Sequence, residues 1–249
     1  MAGTESMESY SAFAKVYDLL MDNVPYEEWT ERIKRILSSH GIGEGLVLDL
    51  ACGTGTMTRL LAEAGYDMIG ADASAEMLEE AREKTGGKEE DILYLCQDMR
   101  SFELYGTVRA VVCMCDSINY LLSKEDLLAC FKLVNNYLDP GGLFIFDFHP
   151  TEYYRDCLGD TVIAERREEC SFIWENGFDG EVNECLLTMF VRAEDGRYDC
   201  FEEQHLQRGY TLEEIKEVLA EAGLVFLESE EIGDEGDARI LAVAREQGK

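Results

Sequence analysis

Hydrophobic and polar positions follow two rhythms along this chain. Between residues 46 and 148, short unbroken apolar runs at 46–51, 68–72, 92–96, 108–115 and 143–148 are separated by segments of helical periodicity. Runs of this kind predict strands covered on both faces, and their alternation with helices predicts a doubly wound parallel sheet. Met57, Leu60, Leu61 and Ala64 mark a helix that starts inside a glycine turn and stops at Gly65, with further helices at 75–84 and 125–138. Two helices, 7–21 and 26–39, precede the first strand, the second carrying Trp29, Ile33, Ile36 and Leu37 on one face. After Pro150 the pattern changes. Stretches at 162–174, 182–193 and 198–210 mix charges with β-formers around turn signals at Glu175-Asn176-Gly177 and Asp195-Gly196, which predicts an antiparallel unit. Thr211 and Glu214 then form a capping box for a helix ending at Gly223, followed by strands at 224–228 and 239–244.

The pattern predicts an α/β fold with a Rossmann-like, mostly parallel sheet of seven strands, an antiparallel final strand pair and a small antiparallel insertion after the fifth strand. No repeat or linker divides the chain, so one domain is expected over 1–249. Within it lie N-terminal helices (1–40), a core (45–150), the β insertion (155–210), and the last helix with two strands (211–249).

Charge narrows the partners. Lys and Arg total 22 against 52 Asp and Glu, a formal net charge of -30, which repels nucleic-acid backbones and anionic membrane surfaces. The nine cysteines are scattered with no CxxC pair, which reads as a reducing, cytoplasmic setting with no disulfide framework and no metal site. Neither a signal peptide nor an apolar run approaching ~18 residues is present in the sequence given. The acidic run from Glu228 to Glu231 reads as a solvated edge.

The candidate chemistry sits at strand ends. Val47-Leu48-Asp49-Leu50-Ala51-Cys52-Gly53-Thr54-Gly55-Thr56 is a buried strand that carries a carboxylate near its end and breaks into a two-glycine turn before a helix. A dinucleotide site would favour a third glycine where Thr58 stands, and an acidic strand end suits a cationic ligand head instead. Asp72 closes the second strand, where a carboxylate can accept both hydroxyls of a ribose, and Asp98 follows the third, where one can accept an adenine amino group. In an open α/β sheet all three ends gather at one crevice. Asp98 also reads as a cap on the segment after it, and Tyr17 as core beside Phe13 and Leu20.

With these residues in hand, the chain resembles the class I S-adenosylmethionine-dependent methyltransferases. Val16-Tyr17-Asp18-Leu19, Asp49 to Thr56, Gln97-Asp98-Met99-Arg100, Asp116-Ser117-Ile118-Asn119-Tyr120-Leu121 and Leu138-Asp139-Pro140-Gly141-Gly142 are most similar to small-molecule N-methyltransferases of the sugar N,N-dimethyltransferase and glycine N-methyltransferase types. The resemblance implies S-adenosylmethionine as cofactor, S-adenosylhomocysteine as product, and methyl transfer by in-line displacement to a small molecule, preferentially at nitrogen. It also implies that Asp49, Ala51, Gly53, Thr54 and Gly55 hold the methionine end and that Asp72 binds the ribose. Ala73 and Met77 would flank the adenine, Asp98 and Met99 would read its edge, Cys115 would supply backbone near the sulfonium, and Tyr17 would lie over the cofactor. The insertion would cover the acceptor site.

No catalytic residue stands out. His149, Tyr120 and His205 are the candidates for contact with the acceptor, each with packing as the alternative role. Two other readings stay open, a methyltransferase that reaches RNA or protein through a partner and a non-catalytic S-adenosylmethionine-binding protein. A homodimer is compatible with the sequence.

Overall fold

The computed structural model describes residues 14, 16–86, 92–193, 195–233 and 238–248. Five α-helices have described bounds: α1 (Tyr26–Ser39), α2 (Thr56–Glu63), α3 (Ala75–Thr85), α4 (Lys124–Tyr137) and α5 (Leu212–Glu221). They alternate with β1 (Leu46–Leu50), β2 (Asp67–Asp72), β3 (Ile92–Cys96), β4 (Val108–Cys113) and β5 (Leu138–Phe148). Four strands follow, β6 (Val162–Arg166), β7 (Cys170–Phe178), β8 (Val182–Arg192) and β9 (Tyr198–Arg208), and after α5 come β10 (Leu224–Ile232) and β11 (Arg239–Glu246). The main sheet has the order β10-β11-β5-β4-β1-β2-β3, with β11 antiparallel to both its neighbours and the other six strands running one way. This is the expected fold, a Rossmann-like sheet with a separate antiparallel sheet β6-β7-β8-β9 inserted after β5.

The apolar runs become strands because both faces are covered. Along β5, Phe144, Phe146 and Phe148 enter one core with α4 and α5, while Leu143 and Ile145 enter the other with α1 and α2. The three phenylalanines stack at centroid separations of 4.4 and 6.2 Å. A third cluster joins Phe172, Cys185, Leu187 and Met189 of the small sheet to Val16 and Leu20 of the N-terminal helical segment. Residues 16–20 are helical, and most of the helix expected at 7–21 lies outside the described residues.

Several boundaries differ from the sequence reading. α4 ends at Tyr137, and Leu138 already pairs with Val108, so β5 starts before Pro140-Gly141-Gly142 and a register shift absorbs those residues. The stretch 162–174 divides into β6 and the start of β7, and Glu175-Asn176-Gly177, expected as a turn, runs inside β7. The reversal falls instead at Asp179, whose Oδ1 accepts from the backbone N–H groups of Glu181 and Val182, a local bond pattern stronger than the Asn-Gly signal. β10 continues to Ile232 past a register shift near Phe226, beyond the expected end at 228, so the acidic run lies exposed on the edge strand of the sheet, and Glu230 reaches Arg32 at 2.6 Å. Among the described residues, no helix is long and apolar enough to cross a membrane.

Candidate active site

The glycine turn forms one wall of a cavity of about 1180 Å³ at the carboxyl ends of the parallel strands. β1 gives way to Ala51 at φ 61, then to Gly53 and Gly55 at φ 53 and 73. A Cβ at Gly55 would stand 2.7 Å from the Tyr94 Oη and 3.0 Å from the Ala81 Cβ, so the packing of α3 and β3 against the turn requires glycine. At Gly53 an added Cβ would meet only Tyr17 Cε1, at 3.9 Å, because this side opens into the cavity.

Asp72 ties the strand ends together. Its two carboxylate oxygens accept from the backbone N–H of Gly53 and of Ser74, both at 2.8 Å, and burial raises its pKa against the effect of those bonds. Asp72 also lines the cavity. Asp98 accepts from the Arg100 backbone N–H at 2.8 Å, and its hydrogen bonds to the Arg100 side chain hold its carboxyl below the usual range. It therefore caps the segment after it and lines the cavity at once.

Of the expected cofactor residues, Tyr17, Ala51, Gly53, Asp72, Ala73, Met77, Asp98, Met99 and Cys115 all line this cavity. Asp49, Thr54 and Gly55 are not among its lining residues. Asp49 is 2 % exposed and lies behind the turn, where it accepts from the Thr58 hydroxyl; burial pushes its carboxyl up to about 7. Thr54 turns the other way and donates to Asp18 at 2.6 Å, which also pairs with Lys84. These contacts fasten the N-terminal helical segment over the turn, so the Thr54 side chain braces the cap instead of facing the cavity.

A knot of polar side chains lies beyond β4 and β5. Arg239, at the start of β11, contacts Asp147 and meets Asp116 at 2.9 Å, with its guanidinium 5.2 Å above the Trp29 ring. Asp147 is fully buried, and that burial raises its pKa while Arg239 lowers it. Asp116 accepts from Gln207 at 2.8 Å and takes φ 50, next to Cys115 at φ 61. Ala51, Cys115 and Asp116 are the non-glycine residues with positive φ among those described, and all three line the cavity, so backbone strain concentrates at this rim. Asn119 fixes the junction with the small sheet. It donates to the carbonyls of His149 (2.9 Å) and Arg208 (2.7 Å) and accepts from the His149 N–H at 2.9 Å.

The three candidate acceptor contacts separate in character. The His149 Nδ1 lies 3.0 Å from the Ala238 carbonyl and must donate to it, so Nε2 is the acceptor for Arg239 Nη2 at 3.1 Å. Both ring nitrogens of His149 are thus engaged, one with the Ala238 carbonyl and one with Arg239. Tyr120 reaches the cavity 45 % exposed but walled by protein, and desolvation with Asp116 nearby raises its phenol, leaving it a donor. His205 meets Tyr120 at 3.3 Å through Nδ1 and Glu203 at 3.3 Å through Nε2, and all three line the cavity.

Sequence reasoning did not single out Arg239, Asp147, Gln207, Glu203 or Trp174. Asp147 did carry a signal, a carboxylate inside the apolar run from Leu143 to Phe148, of the same kind as Asp49. For Glu203, only the register of β9 reveals that it faces inward with Phe201, His205 and Gln207. Arg239 gives no signal, since its partners are remote in sequence.

Comparison with known proteins bears on this geometry. A family profile described as a methyltransferase domain matches residues 47–142. The Bacillus subtilis (strain 168) protein YqeM, whose name assigns it to the methyltransferases, is 38 % identical over 216 residues, 86 % of this chain and 85 % of that one. A Streptomyces fradiae dTDP-3-amino-3,6-dideoxy-alpha-D-glucopyranose N,N-dimethyltransferase is 25 % identical over 85 % of this chain and 83 % of its own length. The crystal structure of an S-adenosylmethionine-dependent methyltransferase from Clostridium acetobutylicum ATCC 824 superposes with a TM-score of 0.87 at 30 % identity, covering 96 % of this chain and 99 % of that one. A glycine turn held by the Asp72 carboxylate on this sheet, together with similarity running nearly end to end, places the chain in the family of S-adenosylmethionine-dependent methyltransferases.

Proposed function

We propose that this enzyme moves a methyl group to the nitrogen of a small-molecule acceptor. The observation that carries this reading is the shape of the cavity: one continuous space joins the glycine turn to a wall contributed by the small sheet, and about 1180 Å³ exceeds what one drug-sized ligand fills. Such a space accommodates a cofactor and a small acceptor. The formal charge of -30 supports the same reading against nucleic acid.

The residues present fit the cofactor. Gly53 lets a ligand backbone approach closely, Asp72 keeps lone pairs for ribose hydroxyls, and Met77 and Ala73 offer the apolar faces an adenine needs, with Asp98 and Met99 at its edge. Ala51, Cys115 and Tyr17 would surround the methionine end, while Asp49, Thr54 and Gly55 shape that region from behind. When bound, S-adenosylmethionine supplies an electrophilic methyl on a sulfonium, displaced in line by the acceptor. The protein's part is to align, to desolvate and to keep its own groups from competing. Burial raises the Tyr17 and Tyr26 phenols and the Cys115 thiol well above their ordinary values, so none offers an anionic nucleophile. In this reading residues 45–150 hold the cofactor, 155–210 cover the acceptor, and the scattered cysteines fit a reducing cytoplasm.

Calorimetric titration with S-adenosylmethionine and S-adenosylhomocysteine is the first test, and absence of binding by either overturns the reading. Incubation with labelled donor and a panel of amines, amino sugars, carboxylates and phenols is the second. Label on amines and amino sugars is expected, and label confined to oxygen acceptors overturns the assignment to nitrogen.

A further inference from the structure

The small sheet presents an apolar face to the cavity with a carboxylate set into it. Register places Trp174 beside Leu187 and Leu187 beside Glu203 across β7, β8 and β9, with Cys185 beside His205 one pair further along. Glu203 is 6 % exposed, lines the cavity, and has no hydrogen bond to either carboxylate oxygen among the described residues; its ionic contact is His205 Nε2 at 3.3 Å. A buried carboxylate without hydrogen bonds costs several kcal/mol by general estimates, so its retention in a ligand cavity calls for a partner that arrives with the ligand. The indole N–H of Trp174 is likewise buried without an acceptor, two strand spacings away, roughly 10 Å along the sheet. The wall thus offers an unfilled anionic acceptor and an unfilled donor, set apart by the length of a small molecule.

The cations of the cavity point the same way. Arg32 meets Glu28 at 3.3 Å and Glu230 at 2.6 Å, and Arg167 meets Asp22 at 3.2 Å and Glu165 at 2.7 Å. Arg239 is shared between Asp116 and Asp147, and Arg100 between Asp98 and Asp126. Among the described residues, every arginine lining the cavity is therefore already held by two carboxylates, which leaves a diphosphate poorly matched.

We infer that Glu203 is the specificity-determining residue for the acceptor, receiving the ammonium or amino group of a small, phosphate-free amine whose oxygen-bearing end meets Trp174. This assignment rests on the proposed methyl transfer to nitrogen. It is tested by binding alone. The full-length protein, with and without S-adenosylhomocysteine, is titrated calorimetrically with tyramine, with tyrosol, which carries a hydroxyl in place of the amine, and with thymidine diphosphate. Tyramine is expected to bind about tenfold more tightly than tyrosol, and thymidine diphosphate more weakly than either. Glu203→Gln, which keeps the shape of the wall, should reduce the tyramine preference to about threefold or less while leaving S-adenosylhomocysteine affinity unchanged and, by removing the buried charge, raising Tm. Equal binding of the two probes, binding of neither, a preference that survives in Glu203→Gln, or thymidine diphosphate as the tightest ligand each overturns the assignment. Failure to bind S-adenosylhomocysteine counts instead against the methyltransferase reading, which separates the two ideas.

Discussion

The two halves of the cavity are built by different means. On the cofactor side, polar groups are fixed largely by nearby backbone: Asp72 by the N–H groups of Gly53 and Ser74, Asp98 by that of Arg100. On the acceptor side, side chains hold one another across long stretches of sequence, as Arg239 does with Asp147 and Asp116, Gln207 with Asp116, and Asn119 with the carbonyls of His149 and Arg208. The first half can be moved only by breaking a turn. The second can change partner by partner, so one fold can keep its methyl donor while its acceptors differ.

The largest expected effect attacks the non-local half. Arg239→Ala leaves Asp147 buried and uncompensated and should destabilise the protein by about 3–5 kcal/mol, measured by urea denaturation. Adding Asp147→Asn should recover much of that loss. A double variant no more stable than the single one shows that the pair does not anchor this half.

Asp49 provides a pH test of the other half. Its folded-state pKa of about 7 lies above the unfolded value of about 3.9, so the native state binds the extra proton between these limits. The contribution to stability is fully present below about pH 4 and is lost as pH rises through about 7, on the order of 2–4 kcal/mol. Asp49→Asn should flatten the fall in Tm between pH 5 and pH 8, and an unaltered profile assigns the pH response to another group.

Asp72→Ala removes two backbone anchors together with the proposed ribose contact, and S-adenosylhomocysteine affinity should fall roughly 30- to 150-fold, about 2–3 kcal/mol by calorimetry. Unchanged affinity refutes the ribose role. The smallest effect is expected at Tyr120. Tyr120→Phe keeps the ring and loses one hydrogen bond to His205, so acceptor KM should rise a fewfold at constant kcat, corresponding to about 1 kcal/mol or less.

The contrast explains how much could be read in advance. Asp49, Gly53, Gly55, Asp72 and Asp98 stand out because a strand, a tight turn and a helix start are each written within a few neighbouring residues. The sequence did not reveal that Asp49 turns inward to Thr58, or that Thr54 faces Asp18 on the N-terminal segment, because a residue's side of a turn depends on the packing above it. His149 shows the same limit. Its place after the fifth strand suggested contact with the acceptor, and the engagement of both its ring nitrogens emerges only when β11 is laid beside β5.

By itself the sequence determined the order of the elements, the two-sided burial of the parallel strands and the acidic rim of the glycine turn, all set by local periodicity and backbone preference. Tertiary structure alone decided the register that turns Glu203 inward, the pairing of Arg239 with Asp147 and Asp116, and the meeting of the small sheet with the strand ends. Those contacts join residues far apart in the chain. Their energies depend on burial and partner distance, which take values only after the chain has folded.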